Sequence, residues 1–232
     1  MRITRDEMFR VVCMIFTPST HKVGTGCFIE KEGTPYLVTA EHVKNDVLPD
    51  SIIVFGDYNS NCYSVLLSCI ISGQWLIHPI ADLSAIKLDI AKLDKKFSNR
   101  FFPIAQVDNS QKPISRDLTL TVAGFPSGLG TAYTGSSKFS PLTFRSFASS
   151  SYMTLQRADK SINSDFFCLE NPAMGGYSGG PVLDLGYEKT PLMLQEYGDT
   201  ILLGFIHGTQ SDNTGGKIAY VTPSYYLHSL LP

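Results

Sequence analysis

Helical periodicity surfaces at one place in this chain of 232 residues, the segment Ser224-Tyr225-Tyr226-Leu227-His228-Ser229-Leu230-Leu231. Elsewhere the sequence runs in short alternating or wholly apolar stretches rich in Val, Ile, Phe and Tyr, cut by Gly, Pro, Asn and Ser. That is the pattern of strands joined by turns. Val11 to Phe16, Tyr36 to Thr39, Ser51 to Phe55, Val65 to Ile70, Leu118 to Val122, Tyr152 to Arg157, Phe166 to Leu169 and Ile201 to Ile206 are such stretches. An all-β fold is therefore expected. Phe102 to Asp117, with two prolines and the polar run Asp108-Asn109-Ser110-Gln111, reads as a crossover between two halves. Ser127 to Ser151, rich in Ser, Gly and Thr, reads as long surface loops. A hydrophobic content of 43% against 17% charged residues suits a well-packed interior.

One segment cannot be an ordinary strand. Gly175-Gly176-Tyr177-Ser178-Gly179-Gly180-Pro181 surrounds a serine with four glycines, which pack nothing and cost backbone entropy in a strand. Such a segment suits a turn that raises a hydroxyl while backbone N–H groups converge on one point, as an oxyanion hole requires. Far upstream, the apolar run Leu37-Val38 ends in Thr39-Ala40-Glu41-His42, placing a histidine at a strand-to-turn corner. Between the two lies Ile80-Ala81-Asp82-Leu83-Ser84-Ala85-Ile86-Lys87-Leu88, an alternating segment with an acid at its entrance. Nucleophile, base and orienting carboxylate thus occur in the chain order His, Asp, Ser, which differs from the subtilisin and α/β-hydrolase orders.

These blocks resemble those of the trypsin/chymotrypsin-like serine proteases, nearest the disulfide-free bacterial HtrA-type branch. Thr39 to His42 is similar to the T-A-x-H block, Ala81 to Leu88 to D-[IL]-A-[VL], and Gly176 to Pro181 to G-[DN]-S-G-G-P. Gly24-Thr25-Gly26-Cys27-Phe28-Ile29 resembles the strand before the histidine, and Val122-Ala123-Gly124-Phe125-Pro126 the strand that opens the second barrel. Leu203 to Gly208 falls where the family has its substrate-binding strand. The resemblance spans residues 9 to 230. It implies two closed antiparallel six-stranded β-barrels with a short C-terminal helix, forming one protease domain. Residues 1–107 would make the barrel bearing His and Asp, and residues 108–232 the barrel bearing Ser and the oxyanion hole.

The resemblance further implies a serine endopeptidase with His42 as base, Asp82 as orienting acid, Ser178 as nucleophile, and the N–H groups of Gly176 and Ser178 as oxyanion donors. Asp89, in Leu88-Asp89-Ile90-Ala91, is the rival for the acid, with Asp94 and Asp57 further back. His207, Gly204, Gly208 and Pro172 would belong to the substrate pocket. Pro172 stands where Arg/Lys-cutting relatives have an aspartate, which argues against a trypsin-like preference. His207 has two readings: recognition of Glu or Gln, or a bond to the triad acid or to strand backbone. Tyr177 replaces the aspartate that captures a new N-terminus in zymogen-type relatives, so activity without an N-terminal cut is expected. The Gly175-Gly176 pair makes the preceding loop compliant, and Asn171 to Gly176 is expected to rest partly misformed until substrate or a partner arrives. The competing function is a peptide-binding module on the same fold that has lost turnover.

The five cysteines are odd in number, contain no C-x-x-C pair and have no histidine at zinc spacing. Secreted relatives staple a cysteine before the histidine to one after it. Here Cys27 is near the first position but Val43 holds the second, so unpaired thiols in a reducing compartment are expected. No metal or other cofactor is expected. A net charge of −2 with no Lys/Arg cluster gives no reason to expect nucleic acid as a partner. No apolar run approaches the roughly 20 residues that span a bilayer, and the N-terminus does not read as a signal peptide. The expected setting is cytoplasmic, with a protein or peptide substrate and room for an activating partner or larger assembly. His21, His78 and His228 read as surface or interface residues.

Overall fold

The computed structural model describes residues 1–93, 95–131, 138–189 and 193–232. Apolar strands organise it. β1 (Val12–Thr17) is buried along nearly its whole length, as are the centres of β2 (Lys22–Lys31) and β3 (Thr34–Thr39). After β3 comes the single-turn helix α1 (Glu41–Asn45), then β4 (Ile52–Gly56) and β5 (Cys62–Leu66). A helical turn, α2 (Leu67–Ile70), leads to β6 (Ile71–Ile77), β7 (Ser84–Leu88) and the two-residue β8 (Phe102–Pro103). These strands make one sheet in the order β5-β4-β1-β2-β3-β7-β6, with β8 added parallel to β2.

The second sheet takes β9 (Leu120–Gly124), β10 (Leu142–Ser146), β11 (Met153–Gln156), β12 (Asn163–Leu169) and β13 (Pro181–Asp184). A separate small hairpin follows, β14 (Tyr187–Lys189) with β15 (Leu194–Glu196), before β16 (Ile201–Ser211) and β17 (Lys217–Pro223). The order is β10-β9-β13-β16-β17-β12-β11. Helix α3 (Tyr225–Leu230) closes the chain. Among the described residues the sheets thus hold eight and seven strands, where six each were expected. The surplus comes from short additions such as β8 and the four-residue β11.

Three local readings change. Within Ser127 to Ser151, expected as loops, Leu142–Ser146 forms β10 and pairs antiparallel with β9. The stretch Val65 to Ile70 does not continue as a strand: β5 stops at Leu66, and Leu67 and Ile70, three apart, turn inward together as one helical turn. His42 sits in the first turn of α1 instead of at a bare strand end. No helix among the described residues is long and apolar enough to cross a membrane.

The larger apolar cluster runs through both sheets, joining Phe28, Phe55 and Phe102 to Phe125, Leu183 and Phe205. Aromatic contacts lock its first half, with Phe97 edge-on to Phe28 at 5.8 Å and tilted against Phe55 at 4.6 Å. A second cluster, including Val122, Phe167, Tyr177, Val182 and Ile206, fills the other sheet. Thr25 of β2 stitches the sheets together. Its N–H donates to the Ser178 carbonyl at 2.9 Å and its hydroxyl to the Gly176 carbonyl at 2.7 Å. The Phe125 N–H and the Thr39 hydroxyl donate back to Thr25 at 3.2 and 2.7 Å.

Candidate active site

The histidine is seated by a missing side chain. At Gly24 an added Cβ would lie 2.3 Å from Cγ1 of Val43, so only glycine lets α1 press its Val43 against β2. With Val43 so fixed, His42 on the next position turns toward the space between the sheets, 30% exposed. Asp82, fully buried, stands in the loop before β7. His42 Nδ1 lies 2.7 Å from Asp82 Oδ2, and the His42 backbone N–H donates to Asp82 Oδ1 at 3.0 Å. Asp89 is elsewhere, accepting from the Ala91 N–H and pairing with Lys92. Asp57 is spent on a turn with Asn59, Asn61 and Tyr63. Asp94 lies outside the described residues.

His207 of β16 brings a second imidazole to the same carboxylate, Nδ1 to Oδ2 at 2.5 Å. Burial opposes a charge on Asp82, but bonds from His207 and His42 outweigh it and hold the carboxyl far below its usual range. An ionised Asp82 makes both ring contacts Nδ1–H donations, which fixes the His42 tautomer with Nε2 free to accept. Burial pushes His42 down, but the Asp82 bond and charge, with Asp159 and Asp46 behind, raise it above its ordinary value.

Ser178 lies at the cleft, and its Oγ donates to the His207 carbonyl at 3.2 Å. The loop before it is anchored outward. Ser127 N–H donates to the Gly175 carbonyl at 2.9 Å, and Thr25 holds the Gly176 carbonyl. Because the peptide is planar and trans, engaging the Gly175 oxygen on one side turns the Gly176 N–H to the other. Among the described residues neither Gly176 N–H nor Ser178 N–H has a hydrogen-bond partner. Gly176 has φ +104°, and a Cβ there would meet the Phe125 carbonyl oxygen at 2.3 Å, so no other residue fits the turn. Tyr177 is buried, its ring edge-on to Phe144 at 5.2 Å.

His42, Ser178, His207 and Gly208 open on one cleft of about 590 Å³, walled by Leu155, Gln156, Ala158, Asp159, Phe166, Thr209, Gln210 and Tyr220. Gly204 and Pro172 do not line it. Gly204 is enclosed within the sheet between β13 and β17, and Pro172 is exposed. Beyond Phe205 the β13 edge of β16 ends, so strand residues from His207 onward keep one edge toward the cleft. Among the described residues, two acidic or imidazole clusters have metal-like proximity, His42–Asp82–His207 and Glu41–Asp82–Asp159. The first is hydrogen-bonded within itself, and the second encloses an arginine.

A family profile describing a trypsin-like peptidase domain matches residues 24–188. The chain belongs to that family. The peptidase domain finds no match among curated protein sequences. Solved structures show its fold. It is similar to the Rv3671c protease of Mycobacterium tuberculosis in its active form, at 16% identity and TM-score 0.59, covering 97% of this chain and 80% of that one. It is similar to the MamO protease domain of Magnetospirillum magneticum, at 16% identity and TM-score 0.60, covering 97% of each. The HtrA-type protease AlgW aligns at 18% identity and TM-score 0.58 over 93% of this chain, which spans 56% of the AlgW chain.

Two residues of this peptidase domain escaped sequence reasoning. His78 is buried, not at the surface. Its Nδ1 accepts from the Ala81 N–H at 2.9 Å and Nε2 meets the Ser229 hydroxyl at 3.1 Å, so it shapes the turn that presents Asp82. Arg157, just past β11, is wholly buried. Nη2 reaches Glu41 at 2.8 Å, Asp159 at 2.5 Å and Asp82 at 3.3 Å; Nη1 reaches the Ile80 carbonyl at 3.2 Å. Lys160 also pairs with Glu41. The only hint in sequence was Glu41 beside His42, an acid without an evident mate. His228 bonds the Val107 carbonyl at 3.0 Å and His21 is exposed.

Proposed function

We propose that the chain is a serine endopeptidase working through Ser178, His42 and Asp82, and the 2.7 Å contact of His42 with Asp82 beside Ser178 carries that reading. Ser178 Oγ attacks a peptide carbonyl while His42 Nε2 takes its proton. Asp82 keeps Nδ1–H pointed at itself and stabilises the imidazolium. The unspent N–H groups of Gly176 and Ser178 receive the negative oxygen of the tetrahedral intermediate, worth a few kcal/mol per donor, or about 3. His42 then protonates the departing amine, leaving an acyl-enzyme. Water repeats the sequence, its proton going to His42 and its oxygen to the acyl carbon.

Ser178 Oγ, which rests on the His207 carbonyl at 3.2 Å, exchanges that bond for one to His42 Nε2 when substrate enters. Extended peptide would lie along β16 from His207 to Gln210, pairing with the open strand edge. Tyr177 supports activity without an N-terminal cut, because its ring, packed on Phe144, orders the serine loop in place of a buried ion pair. The same reading takes each sheet as a closed barrel, residues 1–107 and 108–232, with the cleft between them. Five free cysteines favour a reducing, cytoplasmic setting, and the cleft beside the open edge of β16 suits a protein or peptide as the substrate.

Reaction with a fluorophosphonate probe tests the proposal. Labelling of Ser178, found by mass spectrometry and abolished by pre-heating, is expected. A folded protein that takes up no probe and cleaves no peptide library would instead be a peptide-binding module.

A further inference from the structure

We propose that Arg157 is a positioning residue for this site: its buried guanidinium restrains the charge of Asp82 and so sets the pH at which His42 becomes a base. The proposal rests on the triad reading above. Arg157 and Asp82 are both fully screened from solvent, where charges interact strongly and cannot be left alone. Asp82 accepts four contacts, from His42 Nδ1, His207 Nδ1, the His42 N–H and Arg157. Three are short and directed. The fourth is different: Nη2 has two hydrogens for three carboxylates, and Asp82 at 3.3 Å is the most distant of them. Arg157 therefore acts on Asp82 more by charge than by a dedicated bond, competing with the imidazolium for the same anion.

The charges facing His42 and Asp82 come from four elements. Glu41 and Asp46 belong to α1 and its end, Arg157, Asp159 and Lys160 to the β11–β12 turn, His207 to β16, and His78 to the segment after β6. Asp46 stands apart, paired with Lys22 at 3.8 Å, and with Arg157 present two cations, Arg157 and Lys160, stand against the three acids of the cluster, Glu41, Asp82 and Asp159. Replacing it with a neutral chain leaves Lys160 alone against all three, and a protonated His42 is then held more tightly. An arginine that only ties the turn to α1 would act on His42 through Asp159 alone, and Arg157→Lys, which keeps the charge, would then keep the wild-type kcat.

The experiment compares Arg157→Met and Arg157→Lys with the wild type. The His42 imidazole is titrated by NMR, which needs no turnover, and kcat and KM are followed against pH. In Arg157→Met the His42 midpoint should rise by about one pH unit, carrying the acid limb of kcat/KM with it. Arg157→Lys should restore the midpoint but lower kcat about tenfold at unchanged KM, because an ammonium lacks the planar fork that spans these acceptors. An unmoved midpoint in a folded Arg157→Met protein overturns the proposal. If that variant does not fold, Arg157→Lys decides: wild-type kcat, or a change confined to KM, overturns it. A wild type that neither cleaves nor labels would sink the protease reading alone, and the NMR midpoints would still judge Arg157.

Discussion

The imidazoles of His42 and His207 meet edge to face, centroids 5.6 Å apart and planes at 87°, with Oδ2 of Asp82 bridging their δ nitrogens. One carboxylate oxygen thus orients two rings, and neither can rotate without disturbing the other.

Removing the second ring should therefore register on the first. His207→Ala deletes a charge-assisted donor to a buried carboxylate, and kcat/KM is expected to fall about ten- to a hundredfold. His207→Gln, which keeps an N–H donor, should recover most of the loss. Steady-state kinetics of both variants provides the check, and full activity in His207→Ala would deny the ring any orienting part.

Ser178→Ala should abolish probe labelling and lower peptide cleavage at least about a thousandfold, while the thermal midpoint stays near that of the wild type. The hydroxyl lines the cleft and bonds one backbone carbonyl, so little stability depends on it.

The pH dependence has two signs. His42 is raised above its ordinary value of about 6.5, so activity should decline as pH falls through that raised value, when the base is already protonated. The stabilising imidazolium–Asp82 pair behaves oppositely: it is fully present below the unfolded pKa and is lost as pH climbs through the folded one. Asp82, lowered, contributes stability above its ordinary carboxylate value that disappears as pH falls toward its folded pKa. A kcat/KM profile alongside urea midpoints from pH 3 to 9 separates these effects. Activity undiminished at pH 5 would refute the first.

Gly24→Ala should cost about 1–3 kcal/mol by driving a methyl into Val43 and should lower kcat by shifting α1. Adding Val43→Ala should return much of both. A double variant no better than Gly24→Ala would mean that the contact does not seat the helix.

What could be read in advance was whatever local chemistry announces itself. Ser178 stands among glycines, His42 follows an apolar run ending in Thr-Ala, and Asp82 leads an alternating strand, so each carries its own punctuation. The strands were legible for the same reason: period two in side chains survives without knowledge of neighbours. Arg157 and His78 had no such sign, because their meaning lies in partners distant along the chain: Asp82 and Glu41 for one, Ser229 for the other. His207 left two readings open because its spacing on β16 passes through a bulge between Ile206 and Gly208, and a bulge re-aims a side chain in a way alternation cannot reveal. Leu67 to Ile70 failed differently, as a short apolar run has no period long enough to distinguish a turn of helix from a strand.

Thr25 gives the molecule a shared point of reference. The serine loop and Thr39, three residues before His42, both bond this one residue, so a shear between the halves works against three hydrogen bonds that Thr25 makes to Ser178, Gly176 and Phe125. Replacing the hydroxyl with a methyl would leave both ladders whole and would keep one of those three bonds, from the Thr25 N–H to Ser178.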